Sequence, residues 1–153
     1  MTFKWNKKYT YPASVRSLVN DARHYSVGDE KLPSVTTILS ATQSSEKRES
    51  LARWQAKVGK NEAERVKNVA GKRGTAMHQY LEYMVAEKNL VDLTEEGVEA
   101  KRMAEVVRDK GFNDLEEIWG SEVVLSYPGL YAGQTDLCGI YQGRESIIDF
   151  KQS

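Results

Sequence analysis

Between Gly120 and Lys151 the hydrophobic period of the chain changes from helical to alternating, which restricts the last third to a small antiparallel sheet. Gly120–Tyr127 (GSEVVLSY) reads as a strand and Pro128–Leu130 as a turn. Tyr131–Tyr141 (YAGQTDLCGIY) reads as a second strand and Glu145–Lys151 (ESIIDFK) as a third. Gln142-Gly143 suits a two-residue hairpin loop, with the glycine taking positive φ. With Tyr141 opposite Arg144, counting outward along both strands sets Asp136 opposite Asp149 on one face. Lys151, two residues further on, shares that face.

Two directly opposed carboxylates repel one another unless a cation lies between them. Cys138, Ile140 and Ile147 on that face are apolar or nearly so, as are Leu137, Ile148 and Phe150 on the other. Helices are therefore expected on both sides, with the charges partly buried. Paired carboxylates in such a place fit a hard divalent cation, Mg²⁺ or Mn²⁺, which prefers oxygen ligands. Lys151 could then hold an attacking water or stabilise charge on a phosphate. It could equally pair with Asp149 or Asp136 in a structural cluster.

The preceding segments carry helical punctuation. Residues 1–33 read as an irregular or weakly extended arm, pinned by Phe3, Trp5, Tyr9 and Tyr11. Ser34 is placed to cap a helix bearing Val35, Ile38 and Leu39. Ser44 and Ser45 can cap a second, with Leu51, Trp54 and Val58 on one stripe and Gly59 as its stop. The stripe makes Trp54 a core residue more readily than a base-stacking one. Asn61 to about Val69 predicts a third helix. Thr75 then caps a fourth, with Met77, Leu81, Met84 and Val85 on its apolar face. Thr94 caps a fifth that closes near Gly111. Helices over 34–111 followed by a three-strand antiparallel meander over 120–153 give the class α+β in a single domain.

Composition narrows the function. The 153 residues carry zero formal net charge, which argues against a general polyanion binder, but the charge is unevenly placed. From Lys47 to Arg73 nine basic residues face three acidic ones, whereas from Glu82 to Glu117 eleven acidic residues face five basic ones. A basic phosphate-binding face and two merely solvated helical surfaces both fit that asymmetry. The single cysteine, Cys138, excludes an internal disulfide and any four-cysteine metal site, and reads as core filling. There is no signal-peptide h-region, convincing transit peptide or bilayer-length apolar run. A cytoplasmic protein is expected, of a bacterial or phage-infected cell rather than a mitochondrion.

Gly133-Gln134-Thr135-Asp136 followed by Asp149-Phe150-Lys151 is similar to the G-x-x-D … (D/E)-x-K signature of the PD-(D/E)XK nuclease superfamily. Gly74–Glu82 (GTAMHQYLE) resembles the G-x-x-x-H motif of the RecB-like branch. With Pro33–Leu39 and Leu51–Gly59 added, the run from about Leu32 to Lys151 looks most like mitochondrial genome maintenance exonucleases and their phage relatives. The resemblance implies a metal-dependent DNA exonuclease that prefers single strands with free ends. Within it, Asp136 and Asp149 would be metal-binding carboxylates, Phe150 a main-chain carbonyl ligand and His78 an additional ligand. Lys151 would activate the water. Glu122 matches a glutamate that recurs near the first strand, and also reads as a solvated strand end. Lys72 and Arg73, just before the expected His78 helix, are DNA-contact candidates in competition with a solvated linker. The superfamily core continues past its lysine with a helix and a strand, so a fragment, or a partner chain meeting an open strand edge, is expected. A non-catalytic nucleic-acid-binding subunit is the other functional class.

Overall fold

A computed structural model describes residues 2–152; residues 1 and 153, the outer ends of the expected arm and sheet, lie outside it. The chain is α+β and forms two compact units. One comprises the residues up to Tyr9, Asn61–Glu122 and those from Thr135 on; the other comprises Thr10–Lys60 and Val123–Gln134. Among the described residues no helix is long and apolar enough to cross a membrane.

The second unit holds a paired three-strand sheet where the sequence predicts an irregular or weakly extended arm. β1 (Ser14–Val19), β2 (Ala22–Val27) and β3 (Glu30–Pro33) form an antiparallel sheet in that order. Asn20 and Asp21, at φ 52° and 62°, make the first tight turn, and Gly28 at φ 59° opens the second. Asn, Asp and Gly are the residues that tolerate this left-handed backbone. The strands escape periodicity because the sheet is thinly covered, so Val15 and Leu18 of β1 both point to solvent. Its core is Tyr25, Leu32 and Ala132 with Val27 and Val124 packed alongside. α1 (Val35–Ala41) starts at Ser34 as expected, the Ser34 hydroxyl accepting from Thr37 N–H at 3.1 Å. α2 (Ser45–Val58) starts on Ser44 and stops at Gly59, φ 87°. Neither helix buries a residue fully. Trp54 is only half-buried rather than core, because Leu51, Trp54 and Val58 are too narrow a stripe to sink a fourteen-residue helix.

In the first unit α3 (Lys60–Val85) is one helix of 26 residues, where the pattern predicts two with a break at GKRG. Glycine inside a helix costs about 1 kcal/mol relative to alanine. Burial of Ala63, Ala76, Met77, Tyr80, Leu81 and Val85 along the same helix outweighs the two glycines. Thr75 is consequently mid-helix, and Lys72 and Arg73 do not stand at a helix N-terminus. α4 (Glu95–Gly111) is capped by the Thr94 hydroxyl, which accepts from Gly97 N–H at 3.0 Å. A single 3-10 turn, Phe112–Asp114, leads into β4 (Leu115–Tyr127), which starts five residues before the expected strand.

β4, β5 (Tyr131–Tyr141) and β6 (Arg144–Ile148) form the second antiparallel sheet, in chain order. The hairpin register is the expected one, from Tyr141 opposite Arg144 to Leu137 opposite Ile148, with Gln142 and Gly143 both at positive φ. Pairing ends at Ile148, so Asp149–Lys151 leave the ladder instead of extending it. The face that carries Cys138 is also open at its end, since Ile147 is 71% exposed where helical cover is predicted. The core of this unit is built on Met77, Leu81, Val85, Ala100, Ala104, Ile118 and Leu137, all at most 1% exposed. The first residues pin the free edge of β4. Asn6 N–H donates to the Ile118 carbonyl at 2.9 Å and Ile118 N–H to the Lys4 carbonyl at 2.8 Å. The Trp5 indole N–H donates to the Val85 carbonyl at the end of α3, one of the groups a helix leaves unpaired. Phe3 meets Phe112 edge-on and Tyr9 meets Trp119 in the same way.

Gly139 shows how closely β4 and β5 approach: a Cβ there would land on the Glu117 carbonyl oxygen. Backbone cannot move aside as a side-chain tip can. Gly139→Ala is therefore expected to destabilise the protein by about 1–3 kcal/mol or more, the range of overpacking. Gly111→Ala, with open space around it, serves as the control. Denaturant midpoints of the two variants measured side by side check this, and equal midpoints would contradict it.

Candidate metal centre

α3 lays Met77 and Leu81 into the core, and the same helical turn presents His78, half-buried, towards β5. There His78 Nδ1 lies 3.1 Å from Asp136 Oδ1. Asp136 is only 8% exposed, and its second oxygen, Oδ2, accepts the main-chain N–H of Phe150 at 2.7 Å. Glu122 completes the group. One ligand atom from each of His78, Glu122 and Asp136 falls within 4.8 Å of the others.

Backbone geometry brings Glu122 there. It sits inside β4 at φ 54°, a left-handed conformation that a non-glycine residue adopts at a cost of order 1 kcal/mol or more. One such residue in a strand turns the chain locally and re-aims its side chain. Glu122 is not the solvated strand end that the sequence allows: it is half-buried, in mid-strand, beside His78 and Asp136. Only the unusual φ distinguishes it, and no residue type in Gly120-Ser121-Glu122 announces that.

The protonation states follow from the packing. Burial, then the negative charges of Asp136 and Glu82, push the Glu122 carboxyl up to about 7. The hydrogen bond to Asp136 raises the His78 imidazole, with burial opposing and the charges of Asp136, Glu122 and Asp149 adding to the rise. Burial pushes the Asp136 carboxyl up. Hydrogen bonds from His78 and the Phe150 N–H, with the charge of His78, outweigh it and hold the group below its usual range.

The remaining candidates are placed differently. Asp149 lies near Asp136 but outside the ladder, which ends at Leu137 opposite Ile148; its side chain is 58% exposed and accepts from Lys151 Nζ at 2.9 Å. Lys151 is 81% exposed, so the picture of a partly buried Asp136–Asp149 pair is corrected: the groups around the buried Asp136 are the half-buried His78 and Glu122 and the Phe150 N–H. β6 ends at Ile148, and the face on which Asp149 would continue is already open at Ile147. Phe150 is buried, with its ring 6.2 Å from that of His78 and 6.0 Å from that of Phe112. Lys72 is exposed in mid-helix, and Arg73 Nε donates to Gln152 Oε1 at 2.8 Å. His24 Nδ1 donates to the Ala22 carbonyl in β2 and takes no part in the cluster.

An imidazole nitrogen and two carboxylates form a mixed donor set suited to a divalent cation, and the imidazole tilts it towards Mn²⁺ or a later transition metal over Mg²⁺. Comparison with family models, with curated proteins and with solved structures finds no match for this chain.

Glu122 makes a prediction about the metal-free fold. Its carboxyl is raised from 4.5 to about 7, so the folded state holds this proton more tightly than the unfolded state. The stability this confers is complete below about pH 4.5 and lost as pH rises towards 7. Glu122→Gln cannot titrate. In chelator-treated protein its Tm is expected to gain on that of wild type across this window and to level off above it. A Tm difference that does not change with pH would contradict the assignment.

Proposed function

We propose that this chain is a metal-dependent DNA exonuclease domain of the PD-(D/E)XK type. It would hydrolyse phosphodiester bonds in single-stranded DNA with free ends. The observation that carries the reading is the convergence of His78, Glu122 and Asp136, with Asp149 and Lys151 at the rim of the same cluster. In that reading His78, Glu122 and Asp136 hold Mg²⁺ or Mn²⁺, Asp149 closes the outer side, and the Phe150 carbonyl is the main-chain ligand that the resemblance implies. The cation supplies charge neutralisation at the phosphate and a more acidic water.

The chain's own groups set the rest. Asp136 stays ionised because the Phe150 N–H and His78 both favour its anion. Phe150 closes the inner wall and keeps bulk water off that side of the carboxylates. Lys151, its charge favoured by Asp149, orients a water or balances charge on the phosphate. Lys72 and the exposed basic residues of 47–73 are the strand-contact candidates. Arg73 is already engaged by Gln152 and is the weaker of the GKRG pair. A second reading, a non-catalytic nucleic-acid-binding subunit that a partner chain completes, is favoured by one feature: Lys151 is highly exposed and paired with Asp149.

End-labelled single-stranded DNA incubated with Mg²⁺ or Mn²⁺ tests both. Label loss that needs the metal and falls at least about a hundredfold in Asp136→Asn and in Asp149→Asn is the expected result. Blocking each end in turn gives the polarity. DNA binding without hydrolysis under either metal would select the subunit reading.

The donor set also predicts selectivity. His78→Ala is expected to weaken Mn²⁺ binding about 10- to 100-fold while affecting Mg²⁺ less, since the imidazole favours the softer ion. Calorimetry with each metal checks it. Equal losses for the two ions would remove His78 from the ligand set.

A further inference from the structure

The proposed reaction depends on where Asp149 and Lys151 stand, yet the sheet does not hold them. β6 ends at Ile148, and both side chains lie largely in solvent. Two tethers replace the missing ladder. The inner one is the Phe150 N–H on Asp136. The outer one is Gln152, which uses both ends of its amide on α3. Its Nε2 donates to the Ala70 carbonyl at 2.6 Å, and its Oε1 accepts from Arg73 Nε at 2.8 Å.

The helix is shaped to receive it. A Cβ on Gly74 would lie 2.6 Å from Gln152 Nε2, so with alanine at 74 the amide would have to leave its present place on the helix. Ala70, Gly74 and His78 fall at spacings of four along α3 and so share one face. The tether therefore grips the face that carries His78, about one to two turns from it. A mid-helix glycine that costs stability in isolation acquires a purpose: it is the seat of a side chain from the segment 149–152.

We infer that Gln152 is a positioning residue, and that the Gln152–Gly74 clasp fixes Asp149 and Lys151 against the His78–Asp136 cluster. The inference rests on the nuclease reading for its catalytic consequence and on geometry alone for the clasp. Lys151 is bracketed by the two tethers, Phe150 on one side and Gln152 on the other. Without the outer tether, the segment is held by the Phe150 N–H on Asp136 and by the buried Phe150 ring.

Two variants break the clasp from opposite sides. Gln152→Met keeps the volume and removes both hydrogen bonds. Gly74→Ala leaves Gln152 intact but puts a methyl group where its amide lies; alanine being the better helix former, α3 itself is not endangered. Both are expected to speed hydrogen exchange at the Phe150 amide by about tenfold or more. In hydrolysis of single-stranded DNA with Mn²⁺, kcat should fall about 10- to 100-fold, the effect of a displacement of about 1 Å. KM and Mn²⁺ affinity should stay within about twofold, because His78, Glu122 and Asp136 do not bind Gln152. Unchanged Phe150 exchange in both variants overturns the clasp. Faster exchange with unchanged kcat, or Mn²⁺ affinity falling in step with kcat, overturns the positioning role. A wild-type protein that hydrolyses nothing defeats the nuclease reading instead, and the clasp is then decided by Phe150 exchange alone.

Discussion

The arrangement at the candidate centre depends on the two oxygens of one carboxylate. Asp136 is almost fully buried, and a buried carboxylate is tolerated only when its lone pairs are engaged. One oxygen takes His78 from the helix and the other takes the Phe150 N–H from the segment after β6. Helix, sheet and departing chain are thereby fixed at a single residue. Removing either partner would leave a charge in a place that cannot solvate it, which costs more than the hydrogen bond itself contributes.

Glu122 adds the opposite tendency. Its carboxyl is half-buried among like charges, its proton is held until about pH 7, and its backbone is left-handed inside a strand. Each of these is unfavourable for folding alone. Strained backbone and a shifted carboxyl together, beside an imidazole and a second carboxylate, mark the place where the fold gives up stability. A divalent cation between those groups would relieve the repulsion, and the three side chains lie close enough to hold one.

The glycines illustrate how one residue type serves unrelated ends. Gly143 turns the hairpin with a positive φ that its residue type announces. Gly139 has no such φ and is there because the Glu117 backbone passes too close for a Cβ. Gly74 makes room for a side chain that arrives from 78 residues further along the chain. From the sequence the last two are indistinguishable from helix or strand breakers, and Gly74 accordingly draws the expectation of a helix end where α3 runs straight through.

Local chemistry is what the sequence determined by itself. Ser34, Ser44 and Thr94 cap the helices they precede, because a cap needs only a hydroxyl three residues from a free N–H. The Gln142-Gly143 loop sets the hairpin register, because a two-residue turn leaves one way to pair the flanking strands. His78, Asp136 and Asp149 could be singled out on such grounds and on motif spacing. Tertiary structure decided the rest, because burial and backbone strain depend on partners distant in the chain. It joined two predicted helices into α3, since a shared buried stripe outweighs two glycines. It made a sheet of the N-terminal arm and ended β6 at Ile148, with Asp149 left largely in solvent. It also turned Glu122 inward through a single left-handed residue, drawing into the cluster a carboxylate that its sequence neighbours do not distinguish from a solvated one.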